Sequence, residues 1–172
     1  MAVFVLMGVS GTGKSTVGGA VAEELSLTFI EADDFHPQHN VQKMTGGTPL
    51  TDEDRGPWVE ALIAGINARR PRRDALVACS ALTRFVRDRL RAGVTEPLRF
   101  ILLVSDPAIL QQRLARRQRH FMHPGLLGSQ LAALELPADA VVIDASGSFE
   151  AVCADVARCI RNFPEDTSDA SS

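Results

Sequence analysis

The stretch GVSGTGKST, residues 8–16, combines residue types and a spacing that suit the binding of phosphate groups. It fits G-x-x-x-x-G-K-[ST], in which backbone amides crowd round phosphate oxygens, the lysine reaches the β- and γ-phosphates, and the hydroxyl holds Mg²⁺. An ordinary glycine-rich turn is the alternative, but an apolar run precedes the stretch and a helical pattern follows it, as the motif requires. ATP and Mg²⁺ are therefore the predicted ligands, held by Gly8, Ser10, Gly11, Thr12, Gly13, Lys14, Ser15 and Thr16.

The stretch EADDFHPQHN, residues 31–40, gathers three carboxylates and two histidines directly after another apolar run. Ligands of an open α/β sheet bind beyond the carboxyl ends of its strands, so these acids are expected on the same rim as the phosphate loop. One of them can orient or deprotonate an acceptor hydroxyl, although Asp33 or Asp34 could instead only cap the next helix. Mg²⁺ prefers oxygen ligands, so His36 and His39 are not expected to bind it. His36 is expected either to face substrate hydroxyls or to be structural.

The phosphate loop does not identify what receives the phosphoryl group, since the same loop serves motors, switches and kinases of small molecules. A GTP switch needs an N-K-x-D motif after a later strand, and the sequence has none there. The length of 172 residues suits a kinase of a small molecule. A nucleotide-binding switch without phosphotransfer is the alternative from another class.

Composition and length limit the domain count and the partners. With 172 residues, 45% of them apolar, the chain suits one domain, placed at residues 1–163, with a polar tail, 164–172, predicted to be disordered. The net charge of −3 and the isoelectric point near 5.8 predict no nucleic-acid or membrane partner. Three cysteines without a C-x-x-C pair, and an opening without a signal-peptide pattern, favour a cytoplasmic protein.

Five continuous apolar runs predict strands that are covered on both faces, as in a parallel sheet. They are residues 3–7, 27–30, 75–79, 99–104 and 140–144. Helical patterns lie between them, so the predicted fold class is α/β with right-handed crossovers.

Three helical patterns have clear apolar faces. These faces are Trp58, Leu62 and Ile66; Leu82, Val86 and Leu90; and Phe149, Val152, Cys153, Val156, Ile160 and Phe163. The first helix is expected to begin at Pro57 and to end in the RRPRR run, residues 69–73, which is not expected to bind nucleic acid. In the second, Arg84, Arg87 and Arg91 are expected to point away from the apolar face. Asp106 is expected to cap a helix.

Longer segments resemble one known family. The pieces D-D-F-H-P, N-x-x-K-M, G-x-P-L-x-D-x-D-R-x-P-W, C-S-A-L, H-F-M and L-L-x-S-Q-x-x-x-L-E occur in this order and cover nearly the whole chain before the tail. The chain thus resembles the gluconate kinases (gluconokinases) among the P-loop small-molecule kinases. The resemblance implies ATP-dependent phosphorylation of D-gluconate at its 6-hydroxyl, with a kinase of another sugar acid or polyol as the alternative. It also implies a three-layer P-loop kinase fold, with a five-stranded parallel sheet of order 2-3-1-4-5, a mobile lid at about residues 116–130, and a homodimer.

Carried over residue by residue, the resemblance assigns Lys14 and Ser15 to the phosphate loop. Asp33 takes the place of the acid that contacts the acceptor in the similar shikimate kinases, and we select it as the residue that orients or deprotonates the hydroxyl. Glu31 takes the place of an aspartate near magnesium, so Ser15 and Glu31 are the expected metal-binding residues.

Arginines supply the positive charge that two anionic substrates need. Arg55 lies between the second and third strands, where acceptors bind in this fold group, and suits bidentate pairing with the gluconate carboxylate. Pairing only with Asp52 or Asp54 is the alternative. The expected substrate-binding residues are Asp33, His36, Arg55 and His120.

A lid that brings arginine to the β- and γ-phosphates would stabilise the transferred group and exclude water. Arg113 and Arg117 match the family piece R-L-x-x-R-x-x-H-F, and Arg117 joins Lys14 and Asp33 as an expected catalytic residue. A solvated helix face is the alternative for any of these arginines. The sequence departs from the family at Thr83 and Val86, where many members have lysine and tyrosine.

Overall fold

The computed structural model describes residues 1–69, 73–116, 123 and 125–163. Its strands are β1 (Val3–Met7), β2 (Thr28–Glu31), β3 (Ala75–Ala78), β4 (Leu98–Val104) and β5 (Val141–Asp144). They form one parallel sheet in the order β2-β3-β1-β4-β5, which confirms the predicted class and strand order. The apolar runs located every strand to within one residue at each end, because strands buried on both faces are continuously apolar.

Helices connect the strands. In the described residues they are α1 (Lys14–Glu24), α2 (Gln38–Thr45), α3 (Asp52–Ala68), α4 (Arg84–Gly93), α5 (Pro107–Ala115), α6 (Leu126–Ala133) and α7 (Phe149–Arg161). A short 3₁₀ turn, Ala32–Phe35, joins β2 to the segment before α2.

The side chains of β1 alternate between two buried cores. Val3 and Val5 pack into the core that contains α3 and α4, whereas Phe4 and Leu6 pack into the core that contains α1 and α7. Successive side chains of a strand point to opposite faces, so helices on both sides leave β1 fully covered. Because the sheet is parallel, the loops that follow β1, β2 and β3 emerge at the same edge, and this edge carries the candidate site.

The prediction that the long helix begins at Pro57 is wrong. Helix α3 starts at Asp52, and Pro57 lies inside it. Thr51 and Asp54 form a capping box, in which each side chain accepts a hydrogen bond from the other residue's backbone N–H, and this pair determines the start. Gly56 has no Cβ to clash with the proline ring, so the backbone before the proline can stay helical.

The prediction that Arg87 points away from the core is also wrong. Its side chain is buried, and its Nη1 donates to the carbonyl oxygens of Ala81 and Leu82, each at 2.9 Å. A buried guanidinium needs such acceptors, and here they belong to the loop after β3. The apolar face of α3 is confirmed, since Trp58, Leu62 and Ile66 are buried, and so are Val86 and Leu90 of α4, whereas the buried Leu82 precedes that helix. In α7 the face is confirmed at Val152, Cys153, Val156 and Ile160, but the prediction for Phe149 is wrong, because its side chain is 46% exposed.

Asp106 caps α5 as predicted. Its carboxylate accepts a hydrogen bond from the Ala108 backbone N–H at 2.7 Å, and Pro107 is the first helical residue. Residues 70–72 of the RRPRR run and the tail, 164–172, lie outside the described residues. Within the described ranges, no helix has both the length and the apolar character needed to cross a membrane.

Candidate active site

The phosphate-binding loop lies between β1 and α1. Its glycines have positive φ angles of 146° at Gly8, 89° at Gly11 and 94° at Gly13. A Cβ on Gly8 would lie 2.7 Å from the carbonyl oxygen of Leu103, so the position admits only glycine without a shift of the backbone. Helix α1 begins at Lys14, and its N-terminal amides and dipole face the loop. The loop therefore has the backbone that phosphate binding requires.

Side chains hold the loop in this shape. The buried Thr12 hydroxyl donates to the carbonyl oxygen of Val9 at 2.9 Å, and Lys14 Nζ donates to the same oxygen at 3.1 Å. The backbone N–H of Ser10 donates to Oε1 of Gln130, on α6, at 2.7 Å. Thr16 lines a cavity beside the loop. The residues predicted from the motif are thus brought together around one loop.

Ser15 and Glu31 meet across the site. Burial raises the pKa of the Glu31 carboxyl above its usual value, although the nearby Ser15 hydroxyl opposes the rise. A hydroxyl and a carboxylate supply the oxygen donors that Mg²⁺ prefers, and Mg²⁺ takes its remaining ligands from water and phosphates. The described residues contain no cluster of three or more His, Cys, Asp or Glu side chains that could hold a metal unaided. The pair therefore fits Mg²⁺ bound together with a nucleotide.

A cavity of about 300 Å³ lies next to the loop, between the segment after β2, helix α3 and helix α6. We call it the acceptor cavity. The polar side chains that line it include Asp33, His36, Arg55, Ser80, Ser129 and Gln130. Trp58, Leu82 and Val86 contribute to its apolar wall.

Asp33 lies where the acceptor cavity approaches the phosphate loop. Its side chain is 27% exposed, burial raises the pKa of its carboxyl, and the nearby Lys14 ammonium partly opposes that rise. The alternative that Asp33 or Asp34 caps the next helix is wrong, because α2 begins after Pro37 without a side-chain cap. The cap of the 3₁₀ turn comes instead from Glu31, whose carboxylate accepts from the Asp33 N–H at 3.4 Å.

His36 faces the same cavity. Its ring stacks on Trp58, with 4.4 Å between ring centroids and 9° between planes, and its Nε2 lies 3.8 Å from Oδ1 of Asp33. Burial lowers the pKa of His36 to about 4, so the ring is neutral at pH 7. His39 is exposed, outside the cavity.

Arg55 lies at the wall of the acceptor cavity and also forms one of the ion pairs that the sequence left open. It lines the acceptor cavity, with a side chain that is 20% exposed, and its Nη1 also pairs with Oδ1 of Asp52 at 2.9 Å. The Asp54 carboxylate instead binds Nζ of Lys43, at 2.7 Å. The ion pair with Asp52 therefore orients the Arg55 guanidinium at the cavity wall.

A second cavity, of about 440 Å³, lies on the other side of the phosphate loop. We call it the nucleotide cavity. Arg113 lines it and donates to the carbonyl oxygens of Gly11, at 3.5 Å, and Gly147, at 3.4 Å. Arg116 lines the same cavity. Arg117 and His120 lie outside the described residues, so their expected roles remain predictions.

Comparisons with known proteins agree with this geometry. A family model described as an AAA domain matches residues 3–153. The thermoresistant gluconokinase of Escherichia coli K12 is 39% identical over an aligned length of 164 residues, and the match covers 92% of this chain and 93% of that protein. This chain belongs to the gluconokinase family.

Two crystal structures, each 38% identical to this gluconokinase-family protein, agree with the assignment to the family. A sugar kinase from Janibacter sp. HTCC2649 has a TM-score of 0.85 and covers 94% of this chain and 95% of its own. A gluconokinase from Sinorhizobium meliloti 1021 has a TM-score of 0.75, with coverages of 93% and 95%.

Some residues of this gluconokinase-family site were not selected from the sequence. Gln130 contacts Ser10 and lines the acceptor cavity, so it touches both halves of the site. Its motif, L-L-x-S-Q, was visible in the sequence, but nothing local indicated that α6 returns to the phosphate loop. Ser80 emerges from the loop after β3, and Arg116 lies one residue before the selected Arg117. Thr83 caps α4 and Val86 forms cavity wall, so both departures from the family pattern have structural roles here.

Proposed function

We propose that this protein transfers the γ-phosphoryl group of ATP to the 6-hydroxyl of D-gluconate, forming 6-phospho-D-gluconate and ADP. The observation that carries the proposal is the position of Asp33, which lines a polar acceptor cavity within electrostatic reach of Lys14 in the phosphate loop. The names of the similar proteins from Escherichia coli and Sinorhizobium meliloti support gluconate as the acceptor.

The phosphate loop binds and orients ATP. The backbone amides of residues 11–16 and the Lys14 ammonium contact the phosphate oxygens, and Ser15, with Glu31, would hold Mg²⁺. When bound, Mg²⁺ neutralises charge on the β- and γ-phosphates. Holding both reactants in line supplies most of the rate enhancement in this type of reaction, because phosphoryl transfer needs little covalent chemistry from the protein.

Asp33 acts on the acceptor. Its carboxylate accepts the hydrogen bond, and then the proton, of the 6-hydroxyl as the oxygen of that group bonds to the γ-phosphorus. The bond from the γ-phosphorus to the bridging oxygen breaks, and ADP leaves with the electron pair. Arg55 binds the gluconate carboxylate at the far side of the cavity and so orients the sugar acid with its 6-hydroxyl toward Asp33.

Arg113 stabilises the nucleotide from the other side. It already contacts the loop carbonyl of Gly11, and a rotation of its flexible side chain brings the guanidinium to a phosphate. Arg117 is proposed to supply further charge at the transferred group, with His120 beside the acceptor, as part of a lid over residues 116–130. The family resemblance supports these two assignments.

A panel of sugar acids and polyols tests the proposal. Each candidate is offered with ATP and Mg²⁺ in a coupled assay of ADP release, and ³¹P NMR identifies the phosphorylated position. We expect gluconate to give the highest kcat/KM and a 6-phosphate product. A strong preference for another acceptor would overturn the assignment of gluconate, and ADP release that is independent of every acceptor would favour a nucleotide switch.

We also propose a cytoplasmic homodimer that requires Mg²⁺. The three cysteines are free thiols, two of them buried, as suits a reducing compartment. The family resemblance supports the dimer. Light scattering during gel filtration measures the mass, and titration with EDTA and then Mg²⁺ measures the metal requirement. A monomer at micromolar concentration, or full activity in excess EDTA, would contradict the respective statement.

A further inference from the structure

We propose that Asn40 holds His36 in the neutral tautomer that carries its proton on Nε2, and that this Nε2–H donates a hydrogen bond to an oxygen of the bound sugar acid. Asn40 is then a positioning residue, and His36 is a donor that helps to select the acceptor. The tautomer follows from the contacts of the protein alone, whereas the identity of the acceptor rests on the proposed function.

The contacts of Asn40 determine which way its amide points. The residue is fully buried, and its Nδ2 lies 2.9 Å from the backbone carbonyl oxygen of Asp54 and 3.4 Å from Nδ1 of His36. A carbonyl oxygen can only accept, so the amide group must present its nitrogen, and not its oxygen, to Asp54. The same nitrogen, which can only donate, therefore faces Nδ1 of His36.

The tautomer of His36 follows from this donor. Nδ1 must accept the hydrogen bond from Asn40, so it carries no proton. Burial keeps the pKa of the ring near 4, so at pH 7 the neutral ring carries its single proton on Nε2. In general, the hydrogen bond made by one ring nitrogen of a histidine determines whether the other nitrogen carries the proton.

The groups around this pair are themselves held in place. The Asp54 carboxylate binds Nζ of Lys43 and the N–H of Thr51, which anchors the first turn of α3 and with it the carbonyl that receives Asn40. Trp58 stacks on the His36 ring, and its Nε1 donates to the carbonyl oxygen of Ala32 at 2.8 Å. Neither the amide nor the ring can turn without breaking one of these contacts.

Nε2 of His36 points to the acceptor side of the site. It lies 3.8 Å from Oδ1 of Asp33, which is longer than a hydrogen bond, and both side chains line the acceptor cavity. A sugar-acid oxygen placed beside them accepts a hydrogen bond from Nε2–H of His36, while the Asp33 carboxylate accepts a hydrogen bond from a hydroxyl of the same molecule. The two side chains thus offer complementary partners, and a site built to pair a hydroxyl discriminates strongly against analogues that lack it.

Two substitutions at His36 separate the nitrogens. In His36→Gln the amide nitrogen can occupy the position of Nε2, whereas in His36→Asn the shorter side chain reaches only the position of Nδ1. We expect His36→Gln to keep the KM for gluconate within about 3-fold of the wild type, and His36→Asn to raise it about 10- to 100-fold, as expected when a polar contact is lost. The KM for ATP should be unchanged in both. Equal values of the gluconate KM in the two variants would overturn the role of Nε2.

The tautomer is measured directly by two-bond ¹H–¹⁵N NMR of the unliganded protein at pH 7, with the His36 signals assigned by their loss in His36→Gln. We expect the wild type to show the Nε2–H form. In Asn40→Asp the carboxylate can only accept, so His36 should acquire a proton on Nδ1. A wild-type Nδ1–H spectrum would overturn the proposal, and this result does not depend on whether Asn40→Asp folds.

The experiments distinguish the two proposals. If the acceptor proves to be another sugar acid, the assignment of gluconate fails, and the two His36 variants are compared with that acceptor instead. The spectrum of the unliganded wild type confirms or contradicts the tautomer in either case.

Discussion

At the scale of single residues, Asp33 has the chemistry that the proposed reaction needs. The side chain is neither a helix cap nor fully buried, and it lies between the acceptor cavity and Lys14. The next residue, Asp34, is exposed and carries the same carboxylate on the same 3₁₀ turn. The two neighbours therefore differ in position and not in chemistry.

We predict that Asp33→Asn lowers kcat for gluconate phosphorylation by about 10²- to 10⁴-fold, because an amide cannot accept the proton of the hydroxyl. The ATP affinity, measured by calorimetry, should stay within a few-fold of the wild-type value. Asp34→Asn is the matched control and should retain nearly full turnover. Similar kcat values for the two variants would remove Asp33 from the proposed step.

At the scale of elements, the phosphate loop and helix α1 place different demands on their glycines. Gly8 needs its positive φ and its close approach to Leu103, whereas Gly19, inside α1, has open space where a Cβ would lie. The same substitution therefore has opposite consequences at two positions of one loop–helix unit. In α3 the capping box overrides the first-turn preference of Pro57, which shows that two mutual hydrogen bonds outweigh a single-residue preference.

Gly8→Ala is expected to cost about 1–3 kcal/mol of stability through backbone strain, and to weaken ATP binding at least about 10-fold by distorting the loop. Gly19→Ala should stabilise the protein by about 0.5–1 kcal/mol and leave ATP binding unchanged, because alanine reduces the entropy lost on helix formation. Thermal unfolding and ATP calorimetry measure both effects. Normal ATP affinity in Gly8→Ala would contradict the proposed fit of the loop.

At the scale of the whole molecule, the buried neutral His36 links stability to pH. Its pKa is about 4 in the folded protein and 6.5 as the ordinary value, so the unfolded chain binds more protons between these limits. The free energy of unfolding therefore rises with pH across this window. The stability that the protein has with His36 neutral in both states is lost as pH falls from 6.5 to 4, because the unfolded chain then takes up the proton first.

We predict that the wild type loses up to roughly 3 kcal/mol more stability than His36→Gln between pH 6.5 and pH 4, since glutamine does not titrate. Urea unfolding at several pH values measures the difference, and every other titrating group is common to both proteins. Parallel pH profiles would mean that the folded protein does not hold His36 as a neutral ring.

The sequence by itself determined the features that depend on local pattern. Continuous apolar runs located the strands, three-and-four spacing located the buried faces of α3, α4 and α7, and the G-x-x-x-x-G-K-S spacing placed the phosphate loop. These features are visible because burial on both faces, helical periodicity and phosphate binding each impose a short-range constraint on residue type. The position of Asp33 at the sheet edge followed from the same rule for parallel strands.

Only the tertiary structure decided which distant residues meet. The burial of Arg87, the contact between Gln130 and Ser10, and the chain of hydrogen bonds from Asp54 through Asn40 to His36 all join segments that local patterns treat separately. Such contacts arise because a buried polar group must find a partner wherever the fold brings one, whatever its distance along the chain. Residue types therefore predicted the chemistry of the site, while packing determined which nitrogen of His36 faces it.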